Sequence, residues 1–272
     1  MNAKPYPATG VVLALGLGVC ASSATAGPKV VTQCQTLPQP GAYVLGKNLN
    51  AAGGKNGVDC LLLAEDFISI DLNGFTITGS GAKGTGIKLA DEFGGGGRGF
   101  DIRGGTIISF ARGIDLRVLG GSPGQNRLER MRIQENSDFG AAMSGSAIVR
   151  DSIFVKNGVC NLLAGCPPRT TNGDGLNVGR DSVVTGNTAS GNGGHGLSVA
   201  GGTVSGNTAD GNGDSGLAVG GGTVVHNTAG GNAVGISVSC PSAVVGNTAI
   251  GNSSGNLLPQ GAGCDLVDNV AP

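Results

Sequence analysis

From Val184 to Asn252 the apolar and polar positions fall into one recurring phrase. VTGNTASGN at Val184 returns as VSGNTADGN at Val204, VVHNTAGGN at Val224 and VVGNTAIGN at Val244, with starts 20 residues apart. Within each copy apolar and polar residues alternate, with Val204 inward and Ser205 outward, which predicts a short strand. A second strand follows the second Asn, as GLSV from Gly196, GLAV from Gly216 and GISV from Gly235. Strands this short cannot bury an apolar face alone, so the copies must stack in parallel around one continuous core. A rung of 20 residues leaves no room for a helical crossover in every turn. The pattern predicts an all-β solenoid.

Two columns of asparagine run through the repeat. They are Asn187, Asn207, Asn227, Asn247 and Asn192, Asn212, Asn232, Asn252. Inward amides at rung spacing are expected to bond the backbone of their own turn and the Asn of the next, forming ladders at the corners. The adjacent glycines suit corners that require positive φ. His226 reads as a solvated corner residue.

The glycine that opens the second strand can be followed upstream, through Gly86, Gly113, Gly140, Gly175, Gly196, Gly216, Gly235 and Gly255. Its early spacings exceed 20 residues, so the early rungs carry insertions. These are DEFGGGGRG from Asp91, VLGGSPGQNR from Val118 and GVCNLLAGCPPRTTNGD from Gly158. The expected organisation is a signal peptide over 1–26, an amino-terminal cap and first strand over 27–65, and loop-decorated rungs over 66–157. A disulfide-clipped loop follows over 158–173, then regular rungs over 174–256 and a carboxy-terminal cap over 257–272. About eight or nine rungs are expected in all.

The 54 glycines and 11 prolines would suggest low complexity if they lacked a period. The period makes order the better reading. Residues 1–26 carry Lys4, the apolar run Val11–Val19 and an Ala24-Thr25-Ala26 cleavage pattern, which predict an exported protein: secreted, periplasmic or at the cell surface. The apolar run is too short to span a bilayer as a helix, and no other segment looks transmembrane. Beyond residue 26 lie six cysteines, an even number that suits disulfides in an oxidising compartment. Proximity in sequence favours Cys34–Cys60, Cys160–Cys166 and Cys240–Cys264 among the 15 possible pairings. Two isolated histidines and the lack of a C-x-x-C motif argue against zinc.

GNTASGNGGHGLSV and its copies, preceded by CQTLPQPGAYVLGKNL and FISIDLNGFTITGSG, resemble the right-handed parallel β-helix proteins of the pectate-lyase-like superfamily, of the exported bacterial type. The resemblance covers the chain beyond the leader. It implies a right-handed parallel β-helix, and its functional implication is interaction with a polysaccharide or cell-surface glycan. The fold itself hosts lyases, hydrolases and adhesins alike. A degenerate polysaccharide lyase or hydrolase relative is one expectation; a structural or adhesive solenoid without catalysis is the other.

Charge separates the two halves. Residues 27–180 hold 16 Lys and Arg against 13 Asp and Glu, whereas residues 181–272 hold five Asp and no Lys or Arg. A polyanion would therefore sit on the decorated half. The residues before the strand glycines include Arg112, Asp174 and His195; two after them stand Lys88, Asp115 and Asn177. Both sets are expected to form outward columns. Asp174, His195, Arg112 and Asp115 are the catalytic candidates, because Asp and His can exchange protons and Arg can hold a carboxylate. Lys88, Asn177, Arg98 and Arg127 are the candidates for substrate binding.

NGDG at Asn172 and GHG at Gly194 look like polygalacturonase motifs, but no Asp-Asp pair accompanies them and no Arg-x-Lys follows the second. No cofactor or metal is expected, except calcium on a lyase route through Asp115 and Asp174 with Arg112 or Lys88. That ion asks for six or more oxygens, and two or three carboxylates supply too few. The lack of Trp is unfavourable for a sugar groove, which ordinarily uses aromatic platforms. Thr188, Thr208, Thr228 and Thr248 form an outward column of the kind that can face ice, but their neighbours vary and Thr suits any exposed strand position. Without net basic charge or interleaved aromatics, nucleic acid is not an expected partner.

Overall fold

The computed structural model describes residues 27–51, 59–81, 83–90, 98–118, 124–159 and 173–272. Its architecture is the expected all-β, right-handed parallel β-helix, the hand being that of parallel crossovers in general. Every strand pairing in it is parallel, with ten strands in one sheet and 18 in the other among the described residues. A regular rung supplies one strand to the first, such as Leu197–Val199, and two to the second, Gly202–Ser205 and Thr208–Asp210. We call these the face sheet and the wrap sheet.

Alternation decides what goes inside. Val184, Val204, Val224 and Val244 stack in register and are fully buried, as are Leu176, Leu197, Leu217 and Ile236 from the face sheet. The wider early rungs fill the same interior with Phe100, Phe110 and Phe154. The core is one column without a centre, so each rung depends on its two neighbours.

The corners explain the repeated phrase. Both Asn columns are ladders whose amides bind the backbone of the preceding rung, and only Asn247 among the described residues also bonds a carbonyl of its own turn, Val245 O at 3.2 Å. Asn207 Nδ2 donates to Val184 O at 2.9 Å and to Asn227 Oδ1 at 3.0 Å. Its Oδ1 accepts from both the backbone N–H and the amide of Asn187. The second ladder reaches further than the 20-residue phrase, taking in Asn136 and Asn157 upstream. Ser152 and Asn269 extend the first. Each Asn follows a residue at positive φ, among them Gly206, Gly211 and the exposed His226.

The strand glycines back onto the second ladder. A Cβ at Gly196 would stand 2.6 Å from the Gly216 carbonyl oxygen and 2.8 Å from Asn212 Nδ2. Close approach requires this glycine, because no positive φ is recorded there.

Cys34–Cys60 and Cys240–Cys264 are disulfides, and they favour a non-cytoplasmic setting. The expected Cys160–Cys166 pair and residues 1–26 lie outside the described residues, as do most of the three insertions. Among the described residues no helix is long and apolar enough to cross a membrane. All of the segment NLLPQG but its final Gly261 lies in the strand Gly255–Gln260, which adds to the face sheet beside Val234–Ser239. Leu258, Leu266, Val267 and Val270 near this end are exposed.

Candidate functional site

The face sheet brings the expected columns into register. Lys88, Asp115, Ala142, Asn177 and Ser198 stack in one; Thr85, Arg112 and Phe139 stack in the other, which continues through Asp174, His195 and Ser215 by rung-to-rung hydrogen bonds. The second column is less exposed than expected. Thr85, Phe139, Asp174 and Ser215 are buried, Asp174 at 2% exposure. They stand where the chain turns into the sheet and backbone N–H groups need acceptors.

The four catalytic candidates separate into two groups. Asp115 receives Arg117 bidentately, Nε on Oδ1 and Nη2 on Oδ2 at 2.8 Å each, and Arg112 Nη1 at 3.2 Å. Arg112 Nε also bonds Asp138 at 3.0 Å. Both guanidiniums lie over the Phe139 ring, at 5.6 and 4.7 Å from its centroid. Phe139 therefore stands between Arg112 and the next acid of the column, Asp174. Two arginines and two carboxylates make this cluster neutral, and Lys88 pairs with Asp59 at 3.1 Å.

Asp174 and His195 work as corner acceptors. Asp174 Oδ1 accepts the His195 N–H at 2.9 Å, and its Oδ2 accepts from Asn177 Nδ2 at 3.1 Å. His195 Nδ1 in turn accepts the Ser215 N–H at 3.2 Å, so the neutral ring carries its proton on Nε2, 3.6 Å from Asp214 Oδ2. Asp59 does the same for Thr85 at 2.8 Å. Burial pushes the Asp174 carboxyl above the ordinary Asp value of 3.8, against the opposing effect of Asn177 and the His195 N–H.

Arg98 and Arg127 lead into the wrap sheet and do not share a face with Arg112. Arg127 stacks on Asp101, beside a column of alternating charge formed by Asp71, Arg103, Glu129 and Arg150 across strands Ile68–Asp71, Asp101–Ile108, Asn126–Gln134 and Ala147–Arg150. Glu129 takes Arg150 at 2.7 Å and Arg127 at 3.2 Å. Burial raises the Glu129 carboxyl, but Arg150, then Arg127 and Arg130, outweigh it and hold the group below its ordinary value. Most of the arginine excess read from the sequence is neutralised in place.

Beside Arg127 an open pocket of about 410 Å³ is lined by Gln125, Asn126, Ser146, Ile148, Asp181 and Val183. At the same corner of an earlier rung Phe67 holds its ring in solvent, 59% exposed, at φ 57°. Sequence reasoning passed over Phe67 and Asp181. The available signal was a bulky or charged residue at a corner where later rungs place glycine.

Among the described residues no group of three or more His, Cys, Asp or Glu is placed to hold a metal. Asp115 and Asp174 lie in different groups, and their oxygens are already bonded to Arg112 and Arg117 and to Asn177 and the His195 N–H. Comparison with known protein families, curated proteins and solved structures finds no match.

Proposed function

We propose that the protein is an exported, non-catalytic β-helix that holds carbohydrate on the outside of a rigid stack. The observation that carries this reading is the bonding of the catalytic candidates. Arg112 and Asp115 neutralise each other, while Asp174 and His195 accept backbone N–H groups of the scaffold. An acid and a base facing one bond would need free groups on a shared space. A binding surface needs only rigidity, and parallel rungs locked by amide ladders supply it. The resemblance to pectate-lyase-like β-helices supports carbohydrate as the ligand and an oxidising, extracytoplasmic setting as the place. The paired side chains of the face sheet also favour a second reading, a structural or adhesive solenoid with no small ligand.

Affinity electrophoresis of the purified protein in gels containing neutral or anionic polysaccharides separates these readings. Unsaturated products and reducing ends are followed in parallel, with and without calcium. Retardation without product is the expected result. Product abolished by Asp174→Asn or Arg112→Ala would make the protein an enzyme, and no retardation in any gel would leave the structural solenoid.

A further inference from the structure

One edge of the solenoid carries features that the scaffold does not use. Strand register aligns Phe67, Gly99, Gln125, Ser146 and Asp181 along a single corner, each just ahead of the wrap-sheet strand of its rung. At strand spacing, the four steps from Phe67 to Asp181 span ~19 Å. Between these ends lies the open pocket of about 410 Å³, with Ile148 and Val183 offering exposed apolar surface and Gln125 an exposed amide.

Two residues of this edge adopt a backbone conformation that their side chains disfavour. Phe67 has φ 57° and Asp181 φ 58°, while Gly99 on the same corner has φ 73°. An aromatic residue at positive φ is rare, and strain of this kind tends to accumulate where function needs it. Phe67 gains no burial in return. Its ring rests against Gly99, where a Cβ would stand 2.9 Å from Cε1, and Arg98 lies 5.8 Å from its centroid. The ring is held in place yet open to solvent.

We propose that this edge is a binding strip for a neutral, pyranose-based oligosaccharide, with the Phe67 ring as a stacking platform and Asp181 as an acceptor for sugar hydroxyls. The proposal rests on the carbohydrate reading above and assigns it a site away from the face-sheet candidates. Balanced charge suits a neutral ligand. Arg98 is paired with Asp66 at 3.4 Å and Arg127 with Glu129 at 3.2 Å. Asp181 makes no ion pair and no side-chain hydrogen bond among the described residues. The exposed Arg180 beside it makes none either, so the strip carries no net charge to draw in a polyanion. Asp181 can accept hydroxyl protons, and the apolar faces of sugar rings match Phe67, Ile148 and Val183.

The test is affinity electrophoresis of wild type, Phe67→Gly, Phe67→Asn, Asp181→Asn and the face-sheet control Ser198→Ala. The gels contain glucomannan, xyloglucan, laminarin or polygalacturonate, and the unfolding midpoint of each variant is recorded. Glycine and asparagine tolerate positive φ, so the Phe67 variants should keep or raise that midpoint. The expected result is retardation by at least one neutral polymer, weakened about tenfold by either Phe67 variant and reduced by Asp181→Asn, with Ser198→Ala unchanged. Retardation by a neutral polymer that survives the Phe67 and Asp181 variants overturns the strip and leaves the carbohydrate reading standing. Retardation by polygalacturonate alone also overturns the strip. No retardation by any polymer overturns both.

Discussion

The cost of a single asparagine shows how the corners hold. The Asn207 side chain makes four hydrogen bonds inside the stack, and its removal leaves the Asn187 N–H without a partner in a dry interior and takes one donor from the Val184 carbonyl. One orphaned buried donor costs about 1–3 kcal/mol and the other lost bonds about 1 kcal/mol more, so Asn207→Ala should destabilise by about 2–4 kcal/mol, read as a lowered denaturation midpoint. Asn207→Asp should be worse, because a carboxylate would face the Val184 carbonyl and Asn227 Oδ1 where an amide now donates. If Asn207→Asp equals or exceeds wild type in stability, the ladder does not hold the corner in this way. Phe67 presents the opposite balance, with a backbone strain on the order of 1–3 kcal/mol and little packing to offset it. Phe67→Gly should therefore be at least as stable as wild type, as equilibrium unfolding will show.

At the scale of the element, the two sheets treat charge differently, and pH separates them. Asp174 is raised by burial, so its contribution to folding is complete below the ordinary value of 3.8 and is lost as pH rises through its higher folded value. Asp174→Asn, whose carbonyl can still accept the His195 N–H, should be more stable than wild type at neutral pH. The difference should fade in acid, as unfolding free energies measured against pH will show. Glu129 on the wrap sheet behaves in reverse. Its lowered carboxyl stabilises above the ordinary 4.5 and loses that contribution as pH falls through the folded value, so Glu129→Gln should weaken the protein at neutral pH and converge with wild type in acid. This division also marks what the sequence could reveal. The 20-residue period exposed the rungs, the Val column and both ladders, because identical residues recur where spacing is constant. Asn136 and Asn157 belong to the same ladder but were hidden, since an insertion puts 35 residues between Asn157 and Asn192. Arg98 and Arg127 stand with Lys88 and Asn177 as binding candidates for the same reason: irregular early spacings conceal which sheet a residue enters. The burial of Asp174 was hidden because the column position that exposes Arg112 becomes an internal acceptor at its own corner.

For the whole molecule, stability is a chain of interfaces between neighbouring rungs, with staples near the ends. The two disulfides close loops of 26 and 24 residues, each worth about 3 kcal/mol in chain-entropy terms. Reduction should accordingly speed amide exchange in the terminal rungs while leaving strands Ser182–Thr185 and Gly202–Ser205 protected. The stricter test removes a rung from the middle. Deleting residues 201–220 joins Ala200 to Gly221 and brings Val184 against Val224, Leu197 against Ile236, Asn187 against Asn227 and Asn192 against Asn232. Every column keeps its residue type, so the shortened protein should fold, lose ~5 Å of length by small-angle scattering and unfold at lower denaturant for want of one interface. Deleting residues 201–210 removes half a turn and sets inward positions against corners, so that variant should not fold. The strip from Phe67 to Asp181 lies wholly outside both deletions. Polysaccharide retardation should therefore survive the loss of the full rung, and failure of both deletions to fold would show that the stack does not behave as a sum of neighbouring rungs.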